Sequence, residues 1–181
     1  LGIMLDAGAH KSFISDDKGN LISGDQAVVL FTLLHAMTNP NAKIAVPVTA
    51  TRAVEEVAAK HGATVTRCGT TYRSMMEAAS KGADLVGEER GGFIFGQFFP
   101  AFDAMMATVK LMEYLAIAAQ PLSELLKQVP KLHLIRSVAP CGWEKKGTVM
   151  RHLMEEAEPA TGSGQAPKVE LIDGVKLFTG K

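Results

Sequence analysis

The sequence lacks the features that mark disulfide-bonded, secreted and membrane proteins. It contains two cysteines, Cys68 and Cys141, which are far apart and do not have metal-ligand spacing, so we expect free thiols. No apolar run is long enough to span a membrane. The first residues have neither the basic start nor the cleavage site of a signal peptide. These absences favour a cytoplasmic protein.

An excess of charge of either sign is also missing. The 19 lysines and arginines balance the 19 aspartates and glutamates, and the two signs are mixed along the chain. This balance gives no reason to expect nucleic acid or an anionic membrane as a partner. With 181 residues, 47% of them hydrophobic, the chain is long enough for one or two domains with a buried core.

The chain does contain a regular alternation of strands and helices. Short connections between them predict an α/β fold, a three-layer α/β/α domain with a mostly parallel sheet. We predict strands at 43–48, 64–68, 83–86 and 93–95, and helices at 26–37, 52–61, 72–80 and 103–119. Ser23 or Asp25 is expected to cap the first helix, Thr49 or Thr51 the second, and Asp103 the fourth.

Two of these helices carry apolar side chains that we expect to face the core. Their spacing of three and four residues is typical of one side of a helix. The predicted inward residues are Tyr72, Met75, Met76 and Ala79 on one helix, and Met106, Val109, Met112 and Leu115 on the other.

The pattern changes after Pro121. The predicted elements are a short helix at 122–129, a strand at 132–140, a helix at 143–156, a flexible connection at 158–167, and strands at 169–172 and 175–178. Asp173 and Gly174 form a strong signal for a hairpin turn between the last two strands. We therefore expect the start of a second, incomplete α+β domain.

The predicted topology also indicates where a ligand would bind. In open α/β sheets, ligands bind beyond the carboxyl ends of the strands. The loops 47–51, 69–71 and 87–92 leave those ends, so we expect them on one rim. Upstream, an apolar strand runs into a lone acid, Asp6, followed by a small-residue turn and a strand at 12–15. The turn at Asp6 can face the same rim.

These pieces, in their order and spacing, resemble the α-D-phosphohexomutases, the phosphomannomutase and phosphoglucomutase family. In that family an apolar strand leads into Asp-Gly-Asp-x-Asp-Arg, an acidic glycine turn and a Gly-Asp helix start. Here Gly2-Ile-Met-Leu-Asp6, Asp17-Lys-Gly19 and Gly24-Asp25-Gln26 follow that order. The family's sugar loop, Gly-Glu-x-Ser-Gly-His, is similar to Gly87-Glu88-Glu89-Arg90-Gly91-Gly92. Asp103-Ala104 and Pro121-Leu-Ser-Glu-Leu125 also look like the family's.

The resemblance covers essentially the whole chain and implies its domain organisation. Residues 1–20 would be the end of the second mutase domain, 21–125 the third domain, and 126–181 the start of the fourth. The chain would then be a piece of a longer protein. The segments 143–151 and 169–176 look most like the mutase-like region fused behind a sugar nucleotidyltransferase of the mannose-1-phosphate guanylyltransferase type.

The resemblance also implies a Mg²⁺ site, in the turn after the first strand. Mg²⁺ prefers hard oxygen ligands in octahedral geometry. The sequence keeps the first carboxylate, Asp6, but has Gly8 and His10 in place of the other two and Lys11 in place of the arginine. We interpret the segment as a plain turn inherited from an active ancestor, in which Asp6 is the remaining residue of a degenerate metal site. A softer metal on Asp6 and His10 is the alternative.

The sugar-recognition loop is altered in the same way. Glu88 stands where the family's glutamate accepts hydrogen bonds from sugar hydroxyls, while Arg90 replaces a serine and Gly92 a histidine. Arg90 can bind a phosphate, fill the pocket or lie solvated on the rim. Together with the rim loop 47–51, the resemblance implies that the substrate-binding residues are Glu88, Arg90, Thr49, Thr51 and Lys11.

Three functions remain open. The chain is predicted to be a phosphohexomutase-family fragment of sugar-phosphate metabolism, an intramolecular phosphotransferase by ancestry, whose own mutase activity is lost. The alternative is a sugar-phosphate-binding or regulatory module attached to a mannose-1-phosphate guanylyltransferase-type enzyme. The third is a structural role in a homo-oligomer. The expected partners are a hexose phosphate and the remaining mutase domains, and fold analogy alone does not carry activity.

Overall fold

The computed structural model describes residues 1–157 and 168–178, in two compact units, Leu1–Leu134 and Ile135–Lys181. The strands are β1 (Gly2–Leu5), β2 (Ser12–Ser15), β3 (Lys43–Pro47), β4 (Thr64–Cys68), β5 (Leu85–Gly87), β6 (Phe93–Phe95), β7 (Lys168–Glu170) and β8 (Lys176–Phe178). The helices are α1 (Gly24–Thr38), α2 (Ala53–Lys60), α3 (Tyr72–Ser80), α4 (Ala104–Ala118), α5 (Leu122–Leu125) and α6 (Lys146–Ala157). Within the described residues, no helix is long and apolar enough to cross a membrane.

The central sheet of the first unit has the order β4-β3-β5-β6. Strands β3, β4 and β5 are parallel, whereas β6 returns antiparallel to β5. This arrangement confirms the predicted mostly parallel sheet, including its short fourth strand. The first two strands form a separate antiparallel hairpin, in which Gly2 faces Ser15 and Leu5 faces Ser12.

Helices cover both faces of this sheet, as the predicted three layers require. Successive side chains of a strand point to opposite faces. Accordingly, Ile44 and Val46 pack into a large core shared with α1, α2 and α4, whereas Ala45 packs with Met75 of α3 on the other face. Because both faces of β3 are covered by helices, its sequence is continuously apolar after Lys43 and does not alternate between apolar and polar residues.

Helix α1 is almost entirely buried and is held at both its start and its middle. Ser23 is the N-cap, since its hydroxyl accepts from the Gln26 amide while the Gln26 side chain accepts from the Ser23 amide, a capping box. This result decides between the two predicted caps. Further along, the ring centroids of Phe31 and Phe93 are 4.0 Å apart in a stacked pair between α1 and β6.

The predicted inward face of α4 is wrong. Val109 and Met112 are 53% and 49% exposed, and Met106 and Leu115 are only partly buried. The buried residues are instead Ala104, Ala107, Leu111 and Tyr114. The helix is apolar on nearly every side, so the spacing of its apolar residues does not determine which side faces the core. The side that does face the core carries Tyr114, whose hydroxyl needs a hydrogen-bond partner when buried.

The predicted inward face of α3 is half correct. Met75 and Ala79 are buried, but Tyr72 is 45% exposed and Met76 is 38% exposed. Tyr72 is the first residue of the helix, directly after its N-cap Thr71, and this end of the helix lies at the rim of the sheet. A side chain in the first helical turn therefore lies beside the rim loops and not over the sheet.

The C-terminal elements agree with the predictions except for one strand. Residues 132–140 form no strand, and Ile135 and Val138 are 97% and 94% exposed. An apolar run becomes a strand only where a neighbouring strand pairs with it. In the second unit, α6 is followed by the β7–β8 hairpin, whose turn has positive φ at Asp173 and Gly174. The predicted flexible connection at 158–167 lies outside the described residues.

A buried polar pair joins α1 to α4. His35 is 6% exposed, and its Nδ1 lies 2.7 Å from the Tyr114 hydroxyl oxygen, within a hydrogen bond. Its Nε2 has no hydrogen-bond partner among the described residues. Burial lowers the pKa of His35 to about 4, with Asp84 and Glu113 opposing the shift and Lys110 adding to it. Protonating this imidazole would place an unpaired charge in the core.

We therefore predict that acid destabilises the protein through His35. The unfolded chain takes up a proton near pH 6.5, whereas the folded protein resists it until about pH 4. The free energy of unfolding should consequently fall as pH drops from 6.5 towards 4, by roughly 3 kcal/mol from this residue. Urea unfolding as a function of pH measures this slope.

The His35→Gln variant should show a shallower slope over that range, whatever its stability at neutral pH. As a control, His133→Gln removes an imidazole that is exposed in the folded protein and should keep the wild-type slope. Equal slopes in wild type and His35→Gln would contradict the prediction.

Candidate functional site

Two of the three predicted rim loops touch directly. Beyond the carboxyl ends of β3 and β5, the Thr49 hydroxyl donates to Glu89 Oε1 at 3.0 Å. The loop after β3 also meets the end of β4, where the Val48 amide donates to the Cys68 carbonyl at 3.0 Å. Parallel strands bring these loops together because their carboxyl ends share one edge of the sheet.

The loop between β5 and β6 is a tight turn closed by its own backbone. The Glu88 amide donates to the Gly92 carbonyl at 3.0 Å, and the Gly91 amide donates to the Glu88 carbonyl at 3.1 Å. Gly91 has a φ of +90°, and a Cβ there would lie 2.5 Å from the Ser12 carbonyl oxygen. Only glycine fits this position.

The same loop is joined to the hairpin that carries Asp6. The Ser12 amide donates to the Gly91 carbonyl at 2.9 Å, and Lys11 and Gly92 form an antiparallel β-bridge. The Ala104 amide at the start of α4 donates to the Ala9 carbonyl at 2.8 Å. The turn at Asp6 therefore lies next to the β5–β6 loop.

Glu88 is the buried acid at this junction. Its side chain is 3% exposed, and Oε1 accepts from the Gly92 amide at 3.2 Å. Burial raises the pKa of Glu88, while the neighbouring Lys11 ammonium opposes that rise. Two of the sequence-predicted site residues, Glu88 and Lys11, are therefore brought together and interact electrostatically.

Two aromatic rings, those of Tyr72 and Phe102, lie beside this pair, and the sequence did not predict them as part of the site. The rings of Tyr72 and Phe102 have centroids 4.9 Å apart, and Lys11 Nζ lies 5.9 Å from the centroid of Tyr72. A Cβ on Gly92 would lie 2.7 Å from the Phe102 ring, so this ring occupies the space that a side chain at 92 needs. The signal for Tyr72 was its place directly after the rim loop 69–71.

The Asp6 carboxylate is engaged by its own turn. Its Oδ1 accepts from the amides of His10 and Lys11 at 2.7 and 3.0 Å, and the Asp6 amide donates to the Lys11 carbonyl at 3.1 Å. The hydrogen bond from the Lys11 amide is the main cause that lowers the pKa of Asp6. Asp6 thus remains ionised and acts as a cap of this turn.

The residues of the turn do not fit Mg²⁺. One carboxylate oxygen of Asp6 is already shared by two amides, Gly8 has no side chain, and His10 offers nitrogen where Mg²⁺ requires oxygen. Among residues 1–157 and 168–178, no group of three or more His, Cys, Asp or Glu side chains is placed to hold a metal ion.

The remaining predicted residues lie apart from Glu88 or are open to solvent. Arg90 is exposed at the tip of the loop, and Thr49 is exposed and bound to Glu89. The Thr51 hydroxyl accepts from the Ala53 amide at 3.2 Å and helps to start α2. Thr51 also lines a separate cleft of about 630 Å³, between the start of α2 and residues 130–134.

Comparison with known proteins identifies the family. Residues 23–133 match the model of phosphoglucomutase/phosphomannomutase, alpha/beta/alpha domain III. The chain belongs to the phosphohexomutase family. This match includes the sheet, the β5–β6 loop and α4, and members of the family are generally Mg²⁺-dependent.

Two relatives extend the similarity along the chain. A probable phosphoglucosamine mutase of Methanococcoides burtonii is 32% identical over 179 residues, 98% of this chain and 38% of the relative. A phosphoglucomutase/phosphomannomutase of Thermococcus kodakarensis is 26% identical over 181 residues, again 38% of the relative. The chain therefore spans well under half the length of the curated relatives it matches.

The fold agrees with solved structures. A phosphoglucomutase/phosphomannomutase family protein of Burkholderia thailandensis superposes with a TM-score of 0.71 at 23% identity, covering 98% of this chain and 37% of that one. A structure of the Paramecium phosphoglucomutase parafusin gives a TM-score of 0.73 at 14% identity, covering 98% and 36%. At these identities the likeness establishes the fold alone.

We predict that Gly24→Ala disrupts the packing of α1 against the β5–β6 loop. A Cβ on Gly24, at the start of α1, would collide with the Glu89 carbonyl oxygen, and a backbone atom cannot rotate away. The loss should be roughly 1–3 kcal/mol of unfolding free energy, measured in urea. Gly2→Ala is a matched control, because its nearest obstacle is the Ser15 hydroxyl, a side-chain atom that can turn. Equal stabilities of the two variants would contradict the packing of α1 against this loop.

We also predict that the missing Mg²⁺ ligands can be restored only in combination. The Gly8→Asp variant alone supplies two carboxylates and leaves the His10 imidazole beside them, with Nδ1 2.8 Å from the new Cβ. The double variant Gly8→Asp, His10→Asp supplies three carboxylates and should bind Mg²⁺ saturably in calorimetry, at least about tenfold more tightly than the wild type.

The control for this experiment carries the same added charge elsewhere. Gln120 and Gln128 are exposed, and the double variant Gln120→Glu, Gln128→Glu should bind Mg²⁺ no better than the wild type. Wild-type affinity equal to that of the Gly8→Asp, His10→Asp variant would show that the native turn is already a competent site.

Proposed function

We propose that this chain is a sugar-phosphate-binding part of a phosphohexomutase-family protein and that it has lost Mg²⁺-dependent mutase activity. The observation that carries the proposal is the contrast between two adjacent sites. The β5–β6 loop carries a buried acid, Glu88, which Lys11 of the neighbouring hairpin influences electrostatically, while the turn of that hairpin holds a single carboxylate that its own amides engage.

Binding is supported by the chemistry of the rim. A hexose phosphate offers hydroxyl donors to a carboxylate and anionic oxygens to cations. Glu88 would accept from hydroxyls, and the exposed guanidinium of Arg90 and the ammonium of Lys11 would meet the phosphate. Thr49 shapes the rim through its hydrogen bond to Glu89. The fifth proposed residue, Thr51, accepts a hydrogen bond from the Ala53 amide at the start of α2.

The loss of turnover is supported by what phosphoryl transfer requires. Transfer between phosphate oxygens depends on cations that neutralise developing charge and on exact positioning of the reactants. The turn at Asp6 would be the place for such a cation, and its donor set does not fit one. This chain's residues would therefore bind and orient a sugar phosphate without transferring its phosphoryl group.

The rest of the organisation is proposed on the family's pattern. Residues 1–20 would complete a preceding domain, residues 21–125 would form the third mutase domain, and residues 126–181 would begin the next. The partners would be those domains and a hexose phosphate. Fusion to a mannose-1-phosphate guanylyltransferase-type domain, assembly into a homo-oligomer, and a cytoplasmic location stay predictions.

The test of this function separates binding from turnover. Calorimetry with glucose 1-phosphate and mannose 1-phosphate should give saturable heat that is lost in Glu88→Ala. Glu77→Ala, which removes an exposed glutamate of α3, should bind like the wild type. Formation of the 6-phosphates in the presence of Mg²⁺ should not exceed the uncatalysed rate.

Two outcomes would overturn the proposal. Robust conversion of the sugar 1-phosphates that disappears in Asp6→Asn would mean that the turn is an active metal site. Absence of heat at millimolar ligand would favour the structural role instead.

A further inference from the structure

Tyr72 is an exposed aromatic residue that lies outside both buried hydrophobic clusters. Its neighbours along α3, Met75 and Ala79, are buried, yet Tyr72 is 45% exposed at the edge where the rim loops meet. The other tyrosine of the sequence, Tyr114, is buried. Ligand sites are commonly lined by aromatic side chains together with a few polar groups.

The contacts of Tyr72 connect it to the proposed binding residues. Its ring lies 4.9 Å from that of Phe102, at an interplanar angle of 50°, which leaves the pair tilted and not stacked face to face. Phe102 in turn lies against Gly92, whose amide donates to Glu88. Lys11 Nζ lies 5.9 Å from the Tyr72 centroid. Tyr72 thus lies beside Lys11 and is linked to Glu88 through Phe102 and Gly92.

We propose that Tyr72 is a specificity-determining residue of the rim site, at which its ring packs against the hexose while Lys11 meets the phosphate. This inference rests on the proposed function. The ring face of tyrosine carries negative potential, and it attracts an ammonium group as well as the weakly positive C–H groups on one face of a pyranose. The Phe102 ring supports the Tyr72 ring, and Gly92, which lies against Phe102, donates its amide to Glu88.

This arrangement predicts which ligands the site prefers. A cyclic hexose phosphate can use both the ring platform and the cations, whereas glycerol 3-phosphate offers a phosphate without a sugar ring. Loss of the ring at position 72 should weaken the binding of glucose 1-phosphate by about three- to tenfold, the range expected for one aromatic contact. The hydroxyl is not part of the contact, so Tyr72→Phe should bind like the wild type.

The experiment uses the fact that the sequence contains two tyrosines. Protein labelled in its tyrosine rings is titrated by NMR with glucose 1-phosphate and with glycerol 3-phosphate, and the Tyr72 signal is assigned by its absence in Tyr72→Leu. The Tyr72 signal should shift saturably with glucose 1-phosphate and much less with glycerol 3-phosphate. Calorimetry with glucose 1-phosphate on Tyr72→Leu, Tyr72→Phe and the control Phe98→Leu, which removes another exposed ring, measures the affinities.

The outcomes separate the two proposals. If the wild type gives no saturable heat with glucose 1-phosphate, the proposed function fails and this inference fails with it. If the wild type binds but the Tyr72 signal does not move, or Tyr72→Leu binds as tightly as Phe98→Leu, the role of Tyr72 is overturned while the binding function stands. Equal shifts with both phosphates would also overturn it, because Tyr72 would then serve only to hold Lys11.

Discussion

The candidate site depends on the backbone joint between Ser12 and Gly91. The Ser12 amide donates to the Gly91 carbonyl at 2.9 Å, across 79 residues of sequence, and it holds the turn at Asp6 against the β5–β6 loop. Gly91 permits the contact because a side chain there would meet the Ser12 carbonyl. The joint brings Lys11 beside Glu88, and the burial that raises the pKa of Glu88 follows from the packing around it. The Lys11–Gly92 bridge and the hydrogen bond from the Ala104 amide to the Ala9 carbonyl hold the same hairpin beside this loop.

Much of the fold could be predicted from local pattern, because local chemistry decides it. Short apolar runs between helices predicted the parallel sheet, Ser23 or Asp25 was predicted to cap α1, and Asp173-Gly174 predicted the last hairpin; the structure has Ser23 as the cap. The failures occur where the pattern is ambiguous or a partner is needed. Helix α4 is apolar on nearly every side, so its pattern does not show which side faces the core. The side that is buried carries Tyr114, which hydrogen-bonds His35, 79 residues away in the sequence. Residues 132–140 have strand-like composition, but no strand among the described residues pairs with them.

The candidate site shows the same division. The positions of Asp6, Gly8 and His10 in one turn, and the departure of the rim loops from the carboxyl ends of the strands, follow from the sequence and from general rules for α/β sheets. Three features did not follow: the burial of Glu88, the use of the Asp6 carboxylate by two amides, and the exposure of Tyr72 beside Lys11 and Phe102. Each depends on which segments meet in three dimensions. Family membership therefore accounts for the fold, and the individual contacts have to be read from the structure.

The central claim is that the rim binds a sugar phosphate without help from a metal in the neighbouring turn. The most direct measurement is an amide NMR titration with glucose 1-phosphate, performed with and without millimolar Mg²⁺. The account predicts saturable shifts of the Gly92 and Lys11 amides at the same ligand concentrations in both cases, and no shift of the His10 amide with Mg²⁺ alone. Binding that requires Mg²⁺, accompanied by a shift of the His10 amide as the metal takes the Asp6 carboxylate, would contradict it.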